Sequence, residues 1–126
     1  DCLLSRGLGD VYKRQTLFCV CGGGSNLMSM AYPLLKDKTE IFAVESAGEG
    51  IPTGRHGATI LGGSKMGILL GFKSKVVMKS AQIAESLTEA SGLDFAAVGP
   101  EVAYLHDIGK IKFRSTTDME AKKTLI

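Results

Sequence analysis

A run of three glycines between an apolar stretch and a helical pattern is the feature that most limits how this chain can fold. Residues 16–20 are apolar and β-prone, and residues 27–35 carry apolar side chains at a three-to-four spacing. This order predicts a strand, a glycine turn and then a helix. A helix N-terminus presents unpaired N–H donors, and glycines let an anion approach the backbone closely. We therefore expect a phosphate-binding loop made by Gly22, Gly23, Gly24, Ser25 and Asn26.

The side chains of Ser25 and Asn26 can cap the helix or donate to phosphate oxygens. The loop alone does not identify its ligand. A dinucleotide fingerprint would need a glycine at Leu27, and a Walker loop would need a lysine at Gly63. A plain glycine-rich turn without a ligand stays open as the alternative on local chemistry.

The composition indicates one ordinary globular domain. The chain has 126 residues, of which 44% are apolar and 22% charged, with a net charge of +2 spread over mixed signs. This pattern gives no basic face for nucleic acid, and no apolar run approaches the ~20 residues of a membrane helix. Three cysteines do not make a disulfide framework, so we expect buried reduced thiols in a cytoplasmic protein.

The first fifteen residues are set apart from the rest. Residues 1–15 have no clean periodicity and no signal-peptide layout, and they resemble the translation of a sequencing adapter found at the ends of metagenomic gene models. We exclude them from fold reasoning as a non-native artefact. Residues 16–126 are then expected to be a fragment of an α/β domain that binds the cofactor phosphate, truncated at both ends.

The first half of the chain predicts a βαβ unit. Residues 40–45 are mostly apolar, as buried parallel strands are, and Pro33 is expected to bend or shorten the preceding helix. Ligands of such sheets lie beyond the carboxyl ends of the strands, where the glycine loop would be. Glu45 stands where a dinucleotide fold places its ribose-binding acid, or it simply meets solvent or a neighbouring amide.

The second half is less regular. We expect residues 46–71 to be loop-rich, with His56 on the surface, and residues 76–78 to form a short strand. Residues 83–90 are weakly helical, and a further helix begins at Pro100. His106 and Asp107 are adjacent on that helix, so we interpret them as a polar face rather than a catalytic pair. Residues 111–115 alternate as a strand, and a capping box at 117–120 predicts a last helix.

Several ordered motifs carry a family resemblance over residues 16–126. They are GGGSN at 22–26, VE at 44–45, TGRH at 53–56, glycines at 62, 67 and 71, SGLDF at 91–95, VGPE at 98–101, YL at 104–105, glycine at 109 and TD at 117–118. With these motifs the sequence resembles the tryptophan synthase β-chain family of fold-type II pyridoxal-phosphate enzymes. The resemblance implies an α/β fold, a mostly parallel sheet with helices on its faces.

The resemblance also implies a function and a set of ligands. It implies synthesis of L-tryptophan from L-serine and indole, with the pyridoxal 5'-phosphate anchored by residues 22–26. It implies a monovalent cation, Na⁺ or K⁺, held by backbone carbonyls of Gly22, Phe113 and Ser115. The implied partners are an α subunit and a second β chain, in the cytoplasm.

Departures from the family pattern limit what this chain is expected to do. Leu27 and Ser29 replace the small residues usual after the motif, and Lys112 replaces an acid that helps to close the active site. The family's Schiff-base lysine has no counterpart, so we assign no catalytic residue and expect the chain to be inactive alone. Three alternatives stay open: a cysteine or threonine synthase, a small nucleotide-binding module, and a chain without activity.

Overall fold

A computed structural model describes residues 15–125 of the chain. The predicted artefact, residues 1–15, lies outside the described residues except for Gln15. The described part contains seven strands and three α-helices, in the order β1 (Thr16–Val20), α1 (Ser25–Ala31), β2 (Glu40–Ser46), β3 (Lys65–Leu69), β4 (Phe72–Val76), β5 (Met78–Lys79), β6 (Gln82–Ile83), α2 (Pro100–Asp107), β7 (Ile111–Thr116) and α3 (Asp118–Thr124). Short 3₁₀ turns lie at Tyr32–Leu34, Ile51–Thr53 and Ser91–Leu93.

A three-stranded parallel sheet organises the fold. Its strand order is β1-β2-β7, and β2 pairs in parallel with both neighbours. Val44 lies opposite Val20 on one side and opposite Arg114 on the other, so the three carboxyl ends meet at one edge. The predicted α/β class with a mostly parallel sheet is confirmed.

One face of this sheet packs on α1 and α2. The strands alternate, so every second side chain points to that face. A single buried cluster joins the sheet to both helices, and it contains Leu17, Cys19, Cys21, Leu27, Ala31, Ile41, Ala43, Val98, Val102, Ala103, Leu105, Ile111 and Phe113. Cys19 and Cys21 are free and buried, as expected, whereas Cys2 lies outside the described residues.

The opposite face carries aromatic and basic side chains. Phe18 is 65% exposed, and its ring stacks on Phe42 with a centroid distance of 5.0 Å. Lys112 and Arg114 lie over the Phe42 ring at 5.5 and 5.4 Å. Cation–π contacts therefore cover part of this face. Phe18 and Phe42 do not belong to the buried cluster between the sheet and the helices.

The helix boundaries largely follow the sequence signals. After α1 the chain continues as a 3₁₀ turn that contains Pro33, so the expected shortening is confirmed. α2 has Pro100 in its first turn, and α3 begins with the complete capping box of Thr117 and Glu120. Within residues 15–125, no helix has the length and apolar character needed to cross a membrane.

Residues 46–71 are more regular than expected. β3 pairs antiparallel with β4, and the turn uses Leu70 and Gly71 at positive φ. Gly67 lies within β3 and does not break it. A Cβ at this position would lie only 2.6 Å from the Val76 side chain. The glycine is therefore needed for close packing, and the expectation of an irregular segment was wrong over residues 65–69.

The helix predicted at residues 83–90 is also absent. Gln82–Ile83 instead pairs with Met78–Lys79 across a turn with Ser80 and Ala81 at positive φ, and residues 84–90 are extended or irregular. Its apolar side chains have no core to face, since Leu87 is 39% exposed. The predicted strand at 76–78 is divided between the ends of β4 and β5.

A substitution at Leu27 tests the packing of α1 on the sheet. It is fully buried in α1, so Leu27→Ala should lower the free energy of unfolding by about 2–5 kcal/mol through lost burial and a residual cavity. Chemical denaturation followed by circular dichroism measures this loss. Met30→Ala on the same helix is the matched control, because Met30 is 47% exposed and the change should stay near 0.5 kcal/mol. Equal losses in the two variants would contradict the packing of α1 on the sheet.

Candidate functional site

The glycine loop lies at the carboxyl edge of the sheet. Cys21 N–H donates to the Val44 carbonyl at 2.8 Å, which extends the β1–β2 pairing to the start of the loop. Gly24 is the N-cap of α1 with φ 108°, a conformation that glycine adopts without strain. Its carbonyl accepts Met28 N–H at 2.9 Å, so the loop passes directly into the helix.

Within residues 15–125, the backbone N–H groups of residues 22–26 donate to no protein acceptor. The loop borders a cavity of about 780 Å³, whose opposite wall is residues 89–93. Free donors beside a concave space are what a phosphate group requires.

The three glycines are constrained to different degrees by the protein itself. A Cβ on Gly22 would lie 2.9 Å from the Leu93 Cα, and one on Gly24 would lie 2.5 Å from the Val102 side chain. A Cβ on Gly23 would meet only Phe95 at 3.4 Å, which is an ordinary contact. Packing therefore explains glycine at 22 and 24, but not at 23.

Ser25 and Asn26 do not cap the helix. The N-cap is Gly24, and no side chain accepts a capping hydrogen bond there. Asn26 Nδ2 lies 3.5 Å from the Val20 carbonyl, while Ser25 is exposed and lines the cavity. The Ser25 side chain is thus placed to donate into the cavity.

The residues of the expected cation site lie in two parts of the sheet. Gly22 follows β1, whereas Phe113 and Ser115 lie in β7, with β2 between them. The Phe113 carbonyl accepts a hydrogen bond from Arg114 Nη1 at 3.0 Å. The cation site stays a prediction.

Glu45 is committed to a protein loop. It is 1% exposed, and its two carboxylate oxygens accept the N–H groups of Ile60 and Leu61 at 2.8 and 3.0 Å. Burial raises the pKa of Glu45, although the backbone hydrogen bonds oppose this shift. The acid therefore meets neighbouring amides, and the ribose-binding interpretation was wrong. Burial, helped by the Glu45 charge, raises the pKa of Cys21 to about 12, which makes this thiol unreactive.

The two histidines differ from their expected surroundings. His56 is 5% exposed and not on the surface, and its Nδ1 has no hydrogen-bond partner among the described residues. His106 Nδ1 lies 3.2 Å from Asp107 Oδ1 and 3.1 Å from Lys75 Nζ, which also pairs with Asp107. His106 and Asp107 therefore do contact each other, at the C-terminal end of α2. Lys75 of β4 contacts both side chains, so the group links α2 to β4.

Lys112 lies on the exposed sheet face. Its Nζ donates to Glu40 Oε1 at 2.7 Å, at the opposite end of β2 from the glycine loop. The lysine is half exposed. Its effect on closure of an active site stays a prediction.

Asp118 is a residue that the sequence reasoning missed. Its carboxylate accepts Glu89 N–H at 2.8 Å, Thr88 Oγ1 at 2.8 Å and Ser46 Oγ at 3.2 Å. Partial burial raises the pKa of Asp118, but these hydrogen bonds, led by that of Glu89, outweigh it and hold the pKa below its usual value. The sequence signals were the TD motif at 117–118, which carried no role for Asp118, and a capping box, which predicts only a helix start.

Comparison with known proteins gives one consistent result. No family model matches the chain. The chain is 41% identical over 107 residues to a protein named tryptophan synthase beta chain from Methylobacterium nodulans, 42% to that of Methylobacterium radiotolerans and 43% to that of Anoxybacillus flavithermus. These matches cover 83–84% of this chain but only 26–27% of each relative, so the chain spans about a quarter of their length.

The Glu45 anchor predicts a specific pH dependence. A carboxyl group with a raised folded-state pKa stabilises the fold below its ordinary value of 4.5, and this contribution is lost as the pH rises through the folded pKa. The free energy of unfolding of the wild type minus that of Glu45→Gln should therefore decrease as the pH rises from about 4.5 to neutral. Denaturant titrations at several pH values measure the difference. A difference that is constant or grows with pH would contradict a buried carboxylate.

Proposed function

Because the chain belongs to the tryptophan synthase β-chain family, we propose that residues 16–126 are the phosphate-binding part of a pyridoxal-phosphate-dependent tryptophan synthase. The complete enzyme would make L-tryptophan from L-serine and indole, as a lyase of amino-acid biosynthesis in the cytoplasm. Its proposed partners are an α subunit and a second β chain. The relatives' names support this assignment at 41–43% identity.

The observation that carries the proposal is the set of free N–H groups at the glycine loop. In the described part of the chain these N–H groups of residues 22–26 have no protein acceptor, and they lie beside a cavity of about 780 Å³. The dipole of α1 adds partial positive charge at the same point. These features fit the phosphate of pyridoxal 5'-phosphate, and they stand at the carboxyl edge where ligands of parallel sheets bind.

The division of work between cofactor and chain follows from this placement. When bound, the cofactor supplies an electron sink for reactions at an amino-acid α-carbon. The chain would bind its phosphate with the backbone N–H groups of Gly22, Gly23, Gly24 and Asn26, and with the backbone and hydroxyl of Ser25. Residues 91–93 would limit the room on the opposite side. The lysine that forms the Schiff base in the family has no match here, so we propose that this chain alone is inactive.

The alternatives receive less support. A nucleotide-binding module depended on Glu45 as a ribose acid, and both oxygens of Glu45 are occupied by the backbone of residues 60–61. A cysteine or threonine synthase would share the glycine loop, but the curated relatives at this identity are named tryptophan synthase beta chain. We propose the monovalent cation at Gly22, Phe113 and Ser115 only as a feature of the complete enzyme.

The phosphate loop is tested with a ligand that lacks the aldehyde. Pyridoxine 5'-phosphate cannot form Schiff bases with surface lysines, so its binding to the full chain reports the non-covalent site. Isothermal titration calorimetry should show binding of the phosphate ester at least ten-fold tighter than that of pyridoxine. Gly23→Ala should weaken the ester at least ten-fold, about 1.4 kcal/mol, because its Cβ is tolerated by Phe95 but obstructs the anion.

Ser29→Ala is the control for that experiment. Ser29 lies on α1 and its hydroxyl donates only to the Asn26 carbonyl, at 2.9 Å, so affinity should stay within two-fold of the wild type. Circular dichroism should give the same unfolding midpoint for Gly23→Ala and the wild type. Equal affinity for pyridoxine and its phosphate ester would refute the proposed function.

A further inference from the structure

The wall of the cavity that faces the glycine loop has little regular structure of its own. Residues 89–93 contain only the 3₁₀ turn Ser91–Leu93, whose internal bond joins Leu93 N to the Ala90 carbonyl at 2.8 Å. Leu93 nevertheless approaches Gly22 so closely that a Cβ there would overlap it. We therefore expect residues outside 89–93 to supply the contacts that hold this segment in place.

Asp118 supplies that support from the other side. Its Oδ2 accepts the N–H of Glu89, which is the first residue of the wall, at 2.8 Å. Its Oδ1 accepts the Thr88 hydroxyl at 2.8 Å, and the same hydroxyl oxygen accepts Ala90 N–H at 3.1 Å. The Asp118 carboxylate and the Thr88 hydroxyl thus bind three consecutive residues, Thr88, Glu89 and Ala90.

The carboxylate is itself fixed to the sheet. Asp118 N–H donates to the Gly48 carbonyl at 3.0 Å, and Ser46 Oγ lies 3.2 Å from Asp118 Oδ1 and 2.5 Å from Thr88 Oγ1. Ser46 is the last residue of β2, the central strand. The arrangement therefore joins the sheet edge, α3 and the wall through one side chain.

Asp118 does not line the cavity between the loop and the wall. The residues around that space are Val20, residues 22–26 and residues 89–93, whereas Asp118 borders a second hollow on the far side of Thr88 and Glu89. An effect of Asp118 on a ligand at the glycine loop must therefore pass through the wall.

We propose that Asp118 is a positioning residue, which holds residues 89–93 opposite the glycine loop through Thr88 and the Glu89 backbone, so that the cavity keeps the width of a phosphate ester. This proposal rests on the proposed function for the identity of the ligand. The wall itself can be observed without any ligand.

The charge of Asp118 allows a discriminating variant. Asp118→Asn removes a negative charge near the site, so electrostatics alone would leave phosphate binding unchanged or strengthen it. The asparagine amide keeps one acceptor and turns the other into a donor that cannot accept a second N–H or hydroxyl. We expect Asp118→Asn to weaken pyridoxine 5'-phosphate binding by five-fold or more, against the direction of the charge effect.

Thr88 provides a matched pair of variants. Thr88→Val removes the hydroxyl at nearly constant shape and should weaken the ester about as much as Asp118→Asn. Thr88→Ser retains the hydroxyl and should remain within two-fold of the wild type. Glu120→Gln is the control for α3, because it removes one negative charge from the same helix without touching residues 88–89, and glutamine can still accept the Thr117 N–H of the capping box.

Amide hydrogen exchange on the full chain without ligand gives the second readout. Asp118→Asn and Thr88→Val should speed exchange at residues 89–93 at least ten-fold, whereas Thr88→Ser and Glu120→Gln should not. Equal effects of Glu120→Gln and Asp118→Asn, or faster exchange with unchanged ester affinity, would overturn the positioning role. If wild type shows no preference for the ester, the proposed function fails, and unchanged exchange in Asp118→Asn would refute the support of the wall separately.

Discussion

The parallel pairing of β2 with both of its neighbours is the constraint on which the rest of the structure depends. Because β1 and β7 run in the same direction as β2, the chain leaves all three strands at one edge, and it must cross back between β1 and β2 and again between β2 and β7. The glycine loop, the loop beyond Glu45 and the start of α3 are all products of that arrangement. The hydrogen bond from Cys21 N–H to the Val44 carbonyl is the last one between β1 and β2 before the glycine loop begins.

Close packing and the proposed ligand account for glycines at different positions of the loop. Gly22 is required by Leu93 and Gly24 by Val102, so both would be glycine even without a ligand. Gly23 has room for a side chain in the protein, and the N–H groups of the loop donate to no acceptor within residues 15–125. The proposed phosphate ligand would account for Gly23, whereas packing explains its two neighbours.

The sheet and its helices could be predicted because their signals are local. β1 and β2 follow from apolar runs, β7 from its alternation of apolar and polar residues, α2 from Pro100 and α3 from its capping box, each within a few residues. The β3–β4 hairpin was missed since Gly67 reads as a breaker until Val76 is known to lie against it. The helix expected at 83–90 was wrong because its apolar spacing has no core to face.

The site residues divide in the same way. The five residues of the glycine loop are contiguous, so a strand–turn–helix pattern places them correctly at the sheet edge. Glu45 and Asp118 bind partners that are 15 or more positions away, and His56 Nδ1 has no hydrogen-bond partner among the described residues. Nothing in the local sequence indicates these surroundings. His106 and Asp107 were placed correctly on α2, but Lys75, 32 positions from Asp107, determines their contact.

Two carboxylates bind backbone N–H groups at the same edge of the sheet, and their difference in burial is informative. Glu45 ends β2 and gathers the amides of residues 60–61 inside the protein, where its charge is costly. Asp118 does the same for Glu89 at the surface, where water still reaches it and its pKa is lowered. A buried anchor makes local opening of its loop costly, whereas a hydrated anchor can open at lower cost. The segment with the hydrated anchor is the one that faces the glycine loop, where the phosphate of the proposed cofactor would enter and leave.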